Sequence, residues 1–302
     1  MKEERGFLST LNIWWLACRP ATLTLTVAPV LVGTAVAYAQ GQVQWLVFLI
    51  TLLGGLLIQI ATNLANDLFD YEKGADTAMR VGPLRVTQAG LLTTAQMRKG
   101  LWTVLTMSLG AGVYLVWKGG MILAIGGILS LLSAVAYTAG PYPLAYHGLG
   151  DLFVMLCFGF FGVCGTVLVQ CGLIPKLAYM ASVPVGAMAT SVLVVNHIRD
   201  RDEDAACNKR TLVVKWGTSF GQKEYQFLLG TAYGMVIWIG FSGLCSKGVW
   251  LPCLTFPYGW KLRRAVLNKP RQELNEVLKK TVQLSFFFSL LMAIGLLFPS
   301  LD

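Results

Sequence analysis

The sequence predicts an all-α integral membrane protein of about nine transmembrane helices, with a cytoplasmic N-terminus and a parallel internal repeat of about four helices. Three observations predict it. First, 55% of the 302 residues are apolar and only 13% charged, with a mean hydropathy of +0.62. A soluble domain carries about 45–50% apolar and about 25% charged residues. At half that charge density a globular surface cannot be covered, which excludes a cytosolic enzyme, a nucleic-acid binder and a disordered chain despite the net charge of +9. Second, long charge-free runs separate the charged stretches. Third, the 24 Lys and Arg divide unevenly between the two sides those runs define.

The elements follow in order. The charged N-terminus (Lys2, Glu3, Glu4, Arg5) precedes an apolar run interrupted by Arg19, with no small-residue cleavage site, so it reads as retained. The 47 residues between Arg19 and Asp67 carry no charge and are broken only at Gly41-Gln42, enough for two spans of roughly 20 residues. Further charge-free runs cover 100–117, 119–150, 152–175, 177–198, 225–246, 248–260 and 281–301. The 248–260 run is the weakest, being short and holding Pro252 and Pro257. With nine spans, 21 basic residues fall on one side and 3 (Lys118, Lys176, Lys247) on the other. That is a strong positive-inside asymmetry. The seven cysteines show no C-x-x-C and no nearby His at metal-ligand spacing, so they read as packing residues.

The acids are few and clustered. One group reads Asn63-Leu-Ala-Asn66-Asp67-Leu-Phe-Asp70, followed by Lys73, Gly74 and Asp76. Asn63, Asn66 and Asp70 share a helical face, and Gly74 is placed to end that helix. In the second group Asn196, Asp200 and Asp204 again share a face, with Glu203 off it. Asn66 to Asn196 and Asp70 to Asp200 are both offsets of 130 residues. The offset predicts a single domain over 1–302 with pseudo-repeat halves of about 12–140 and 141–275, bringing both clusters to one mouth. Facing carboxylates beside basic residues suit a hard divalent cation, Mg²⁺ or Mn²⁺, completed by substrate phosphates. Arg85, Lys209 and Arg210 are then candidates for the remaining phosphate oxygens.

These motifs resemble the UbiA superfamily of intramembrane prenyltransferases. The likeness extends through Arg19-Pro20-Ala-Thr22, the stretch Gly82–Gly90, Tyr137-Thr-Ala-Gly140-Pro141-Tyr142, Gly148-Leu-Gly150-Asp151 and Lys209-Arg210-Thr211. Together they are similar to the branch that prenylates 1,4-dihydroxy-2-naphthoate in menaquinone biosynthesis. Two departures stand out: Gly74 occupies the second acid position of the Asp-x-x-x-Asp spacing many members use, and Pro141 replaces a basic residue four after Tyr137.

The resemblance implies Mg²⁺-dependent transfer from a polyprenyl diphosphate to the naphthoate, with loss of diphosphate and CO₂. It implies metal ligands Asn66, Asp70, Asp76, Asp200 and Asp204, with Asp70, Asp200 and Tyr137 catalytic. Substrate contacts fall to Arg19, Asn63, Lys73, Arg85, Gln88, Tyr142, Asn196, Lys209 and Arg210. The expected setting is a bacterial inner membrane, with lipid around the chain, the site facing the cytoplasm and no nucleic acid bound. No catalytic base is evident, and His147 and His197 read as structural. A relative using 4-hydroxybenzoate or homogentisate, and a secondary transporter, are the alternatives.

Overall fold

The computed structural model describes residues 9–74, 81–136 and 143–299, and among them the fold is entirely helical. Helix α1 (Thr10–Cys18) is N-capped by Ser9, whose Oγ accepts the Asn12 N–H. Arg19 then turns through a left-handed conformation (φ 50°), and Pro20 opens α2 (Pro20–Ala39). Proline suits this first position because its missing N–H would have had no helical partner. Helix α3 (Trp45–Glu72) follows and stops just before Gly74 (φ 68°), as the sequence predicts.

Helix α4 (Thr94–Ala136) runs 43 residues but is broken at Gly120, where φ is 74° and ψ is −164°. A straight helix of that length would extend ~65 Å, about twice the ~30 Å apolar layer of a bilayer. Gly120 reverses the problem by splitting it into two shorter pieces, because glycine alone accepts this backbone without a Cβ clash. Helix α5 (Gly150–Cys171) holds a π-helical stretch at Met155–Cys164. Helix α6 (Lys176–Ala206), the short α7 (Leu212–Trp216) and α8 (Thr218–Phe241) come next. A 3₁₀ segment (Lys247–Thr255) leads into α9 (Phe256–Asn268), and another (Arg271–Glu273) into α10 (Leu274–Leu296).

Six helical segments among the described residues are long and apolar enough to cross a membrane: α2, α3, α4, α5, α6 and Arg271–Leu296. The sequence expects nine. The difference lies in α4, which stays one element across its break, in α8, whose first turns carry Lys223 and Glu224, and in the divided 247–268 segment.

Helix α6 forms the spine, with Val185, Met188 and Val195 packed among residues of α2, α5, α8 and α10. It approaches α5 through glycines. A Cβ on Gly159 would sit 2.7 Å from the Ser182 carbonyl oxygen, and one on Gly186 would sit 2.8 Å from that of Met155. Small residues let membrane helices meet backbone to backbone, where packing must supply the association. A second cluster (Ala61, Leu64, Leu68, Val86, Met97, Leu101) joins α3 and α4 to the loop between them. That loop and the ends of α3 and α6 frame one cavity.

Candidate active site

The cavity measures about 940 Å³. Its long wall is apolar, built from residues such as Leu123, Phe158, Phe161 and Val169. Its polar end takes Asn63, Asn66 and Asp70 from α3, and Asn196, Asp200, Glu203 and Asp204 from α6. Arg19, Arg85 and Lys209 complete that end. Helical periodicity therefore brings both predicted faces to the same place. Asp76, Tyr137 and Tyr142 lie outside the described residues.

The α3 cluster divides its labour. Asp67 turns from the cavity and accepts the backbone N–H groups of Val86 and Thr87, each at 3.0 Å. This folds the loop back over α3 and delivers Arg85, whose Nη2 donates to Asp70 Oδ2 at 2.9 Å, with both side chains 6% exposed. Asn63 faces the cavity yet gives its amide to Cys18 O and Thr22 Oγ1, tying α3 to the α1–α2 junction.

The α6 cluster has its own arginine, which sequence reasoning passed over. Arg199 is fully buried and grips Asp200 with two N–H groups at 2.6 Å each, while Nη2 also donates to Asn196 Oδ1. It is the residue next to Asp200 in the chain, and in the sequence it counts only toward the basic excess of one side.

Between the clusters stand Tyr146, Lys73 and Lys209. The Lys73 and Lys209 ammonium groups lie 4.6 and 5.9 Å from the centre of the Tyr146 ring, a cation–π arrangement. Tyr146 O–H is directed at Asp70 Oδ1, at 3.5 Å. Burial and then the charge of Asp70 push the Tyr146 hydroxyl upward, so it keeps its proton. Burial opposes the charge on Lys209, but Asp204, Asp70 and Asp200 outweigh it and hold its pKa above the ordinary lysine range. Lys209 thus feels carboxylates of both clusters, and its Nζ lies 3.4 Å from Asp204 Oδ1. Burial and then Lys209 draw Lys73 the other way, lowering its pKa against the pull of Asp70.

Some predicted positions fall elsewhere. Lys73, Gln88 and Arg210 do not line the cavity: Lys73 is exposed at the end of α3 with its ammonium over the Tyr146 ring, Gln88 follows the turn fixed by Asp67, and Arg210 is exposed with its backbone N–H given to Tyr146 O. Glu203, expected off the shared face, lines the cavity and accepts the Val81 N–H at 2.9 Å. Of the histidines, His147 is hydrogen-bonded to Pro143 O, and His197 is buried 3.5 Å from Asp151.

The donor set is all oxygen, and Asp204 Oδ2 is buried without a hydrogen-bond partner among the described residues. That fits a hard divalent ion. No three acidic, His or Cys side chains among the described residues converge enough to hold a metal by themselves. Mg²⁺ does not ask for that, since it is bound through one or two carboxylates plus substrate phosphates.

A helical membrane protein with two acid clusters and basic groups at the mouth of an apolar cavity defines an intramembrane enzyme for a lipid diphosphate. The UbiA prenyltransferase family model matches residues 26–291, and the chain belongs to that family; it is a prenyltransferase. It is 35% identical to the 1,4-dihydroxy-2-naphthoate octaprenyltransferase of Escherichia coli, covering 98% of each chain. It is 32% identical to the enzyme of the same name from Haemophilus influenzae, over 98% of this chain and 99% of the relative. The fold is similar to a UbiA homolog from Archaeoglobus fulgidus bound to GPP and Mg²⁺ (TM-score 0.64, 13% identity, 94% and 99% coverage). It is also similar to the apo UbiA homolog from Aeropyrum pernix K1 (TM-score 0.69, 12% identity, 90% and 96% coverage).

Proposed function

We propose that this enzyme transfers a polyprenyl group from polyprenyl diphosphate to 1,4-dihydroxy-2-naphthoate, releasing diphosphate and CO₂ to give demethylmenaquinol, the hydroquinone form of demethylmenaquinone. The observation that carries it is the pair of acid clusters, with Lys209 3.4 Å from Asp204, at the polar end of an apolar-walled cavity of about 940 Å³. Near-full-length relatives named for the naphthoate reaction support the acceptor.

Asn66, Asp70, Asp200 and Asp204 would hold Mg²⁺, with Mn²⁺ as substitute and Asp76 as a further ligand. The metal, when bound, supplies Lewis-acid neutralisation of the charge growing on the leaving diphosphate. Arg19, Arg85, Lys73 and Lys209 hold the phosphate oxygens, and Arg85 does so with a planar fork that lysine cannot copy. The bond between prenyl C1 and the diphosphate oxygen breaks, and the electron pair leaves with the diphosphate. The cavity wall keeps water from the resulting allylic cation, and the faces of Tyr137 and Tyr142 stabilise it. The carbon bearing the carboxylate attacks prenyl C1. The bond to the carboxyl carbon then breaks, CO₂ departs, and the electron pair left behind restores the aromatic ring. No proton has to be taken from that carbon, which accounts for a site without an evident base.

The architecture proposed with this function has nine crossings: the two halves of α4 count separately, and α8 and 247–268 each count once. It has the N-terminus and the site on the cytoplasmic face of a bacterial inner membrane, and two parallel halves related by the 130-residue offset. The 21-to-3 basic split supports the orientation.

The test supplies membranes containing the enzyme with a polyprenyl diphosphate and either dihydroxynaphthoate or 4-hydroxybenzoate, and weighs the product. The naphthoate product should lack the carboxyl group, and chelation should stop the reaction until Mg²⁺ is restored. Prenylation of 4-hydroxybenzoate alone, with its carboxyl kept, would overturn the acceptor assignment.

A further inference from the structure

The described part of the loop bearing Arg85 is fastened at two points, and the second fastening uses a residue that no part of the proposed reaction requires. At its far end, Asp67 holds Val86 and Thr87. At its near end, Val81 is held by groups from α6 and α10. Its N–H donates to Glu203 Oε1, and its carbonyl accepts from Asn275 Nδ2 at 2.7 Å. Asn275 is 194 residues away in sequence. Its other amide atom, Oδ1, accepts from Arg199 Nη1 at 3.0 Å. Arg199 is the buried guanidinium that grips Asp200.

Both atoms of the Asn275 amide are therefore assigned by chemistry. A guanidinium can only donate and a carbonyl can only accept, so the amide must face them in this orientation. Aspartate could keep Arg199 but would set a second acceptor against Val81 O. Leucine could serve neither. Arg271 braces the same corner: its Nε donates to Arg199 O at 2.5 Å, and Nη2 lies 2.7 Å from Glu203 Oε1.

We propose that Asn275 is a positioning residue that sets the Arg85 loop in register with Asp200, so that both acid clusters engage one diphosphate. It touches no substrate and acts through Val81 and Arg85 on one side and Arg199 on the other. The inference rests on the prenyl-diphosphate reading of the site. Of the two arms, the Arg199 contact carries Asp200 and the Val81 contact carries Arg85. Asn275→Asp separates them by keeping the first and breaking the second.

The experiment measures steady-state kinetics for wild type, Asn275→Asp, Arg85→Lys and the double variant, varying each substrate in turn. Asn275→Asp should raise the KM for polyprenyl diphosphate by about fivefold or more while the acceptor KM stays within about twofold, since only loss of donor binding moves one without the other. Its effect should be non-additive with that of Arg85→Lys, because residues acting through one contact chain couple and distant ones add. Glu276→Gln, one position along and exposed, should leave the kinetics unchanged. If Asn275→Asp does not insert, Asn275→Gln keeps the same donor and acceptor one methylene further out, and should raise the donor KM by a smaller factor. Unchanged or evenly affected KM values, or strict additivity with Arg85→Lys, would overturn the proposal. A wild type that releases no diphosphate would instead overturn the reading of the site.

Discussion

At the residue scale, the central acid of each cluster already has an arginine. Asp70 faces Arg85 and Asp200 faces Arg199, all four buried. Removing one partner of a buried pair strands the other charge, at a cost of about 3–5 kcal/mol. An Asp→Asn change softens that, since the amide oxygen still accepts one guanidinium N–H. Asp70→Asn and Asp200→Asn should therefore insert and fold, with somewhat lower melting temperatures in detergent, yet each lose about 10²-fold or more in prenyl transfer, the scale seen when one preorganised electrostatic contact is removed. The double variant should be scarcely slower than either single one, because groups that act as a unit are non-additive. Modest losses that multiply in the double variant would mean that the acids supply only a diffuse negative field. Glu203 is no neutral comparison for this test, because it holds Val81.

At the element scale, the glycines fall into two kinds. Gly159 and Gly186 mark where α5 and α6 touch, and a side chain there meets backbone. Gly127, in the second half of α4, lines the cavity, and a Cβ there meets nothing within 4 Å. Gly127→Leu should fill the groove rather than break the fold. Turnover of long-chain donors should fall about tenfold or more, while a one- or two-isoprene donor stays within about threefold, as expected when only remote binding is lost. Gly159→Leu should instead lower the yield of folded protein, because overpacking typically costs about 1–3 kcal/mol and here there is no side chain to move aside. Equal losses for short and long donors in Gly127→Leu would show that the groove glycine does not set usable length. The two kinds look alike in sequence, and so do other features. The helix end before Gly74 and the shared acid faces were legible because they depend on spacing within one helix. The π-helical stretch of α5, the burial of Arg85 and the role of Asn275 were not, because each depends on a partner brought from another element. Gln88 was expected at the substrate, but it is not among the residues of the cavity wall, in a loop that Asp67 fixes at Val86 and Thr87.

At the scale of the whole molecule, the outer surface is itself apolar. Trp117, Ile122, Phe227, Phe241 and many other large side chains are exposed, far beyond what a soluble monomer presents. Lipid is the solvent for this surface, and the orientation proposed from the basic residues is open to a direct test. Lys118, Lys176 and Lys247 are exposed at the turns away from the acid clusters, whereas Lys223 is exposed near the end that carries Asp200. A protein whose seven cysteines are replaced, and which still transfers prenyl groups, can carry one new cysteine at a time. Most of those cysteines pack as small hydrophobes, so the replacement should be tolerated. In intact cells an impermeant maleimide should label Lys118→Cys and Lys247→Cys. It should label Lys223→Cys only after the membrane is opened, if the basic excess marks the cytoplasmic side as proposed. Labelling of Lys223→Cys in intact cells, with Lys118→Cys protected, would place the acid clusters outside. A donor diphosphate made in the cytoplasm would then have to cross the bilayer before it could reach Asp70 and Asp200.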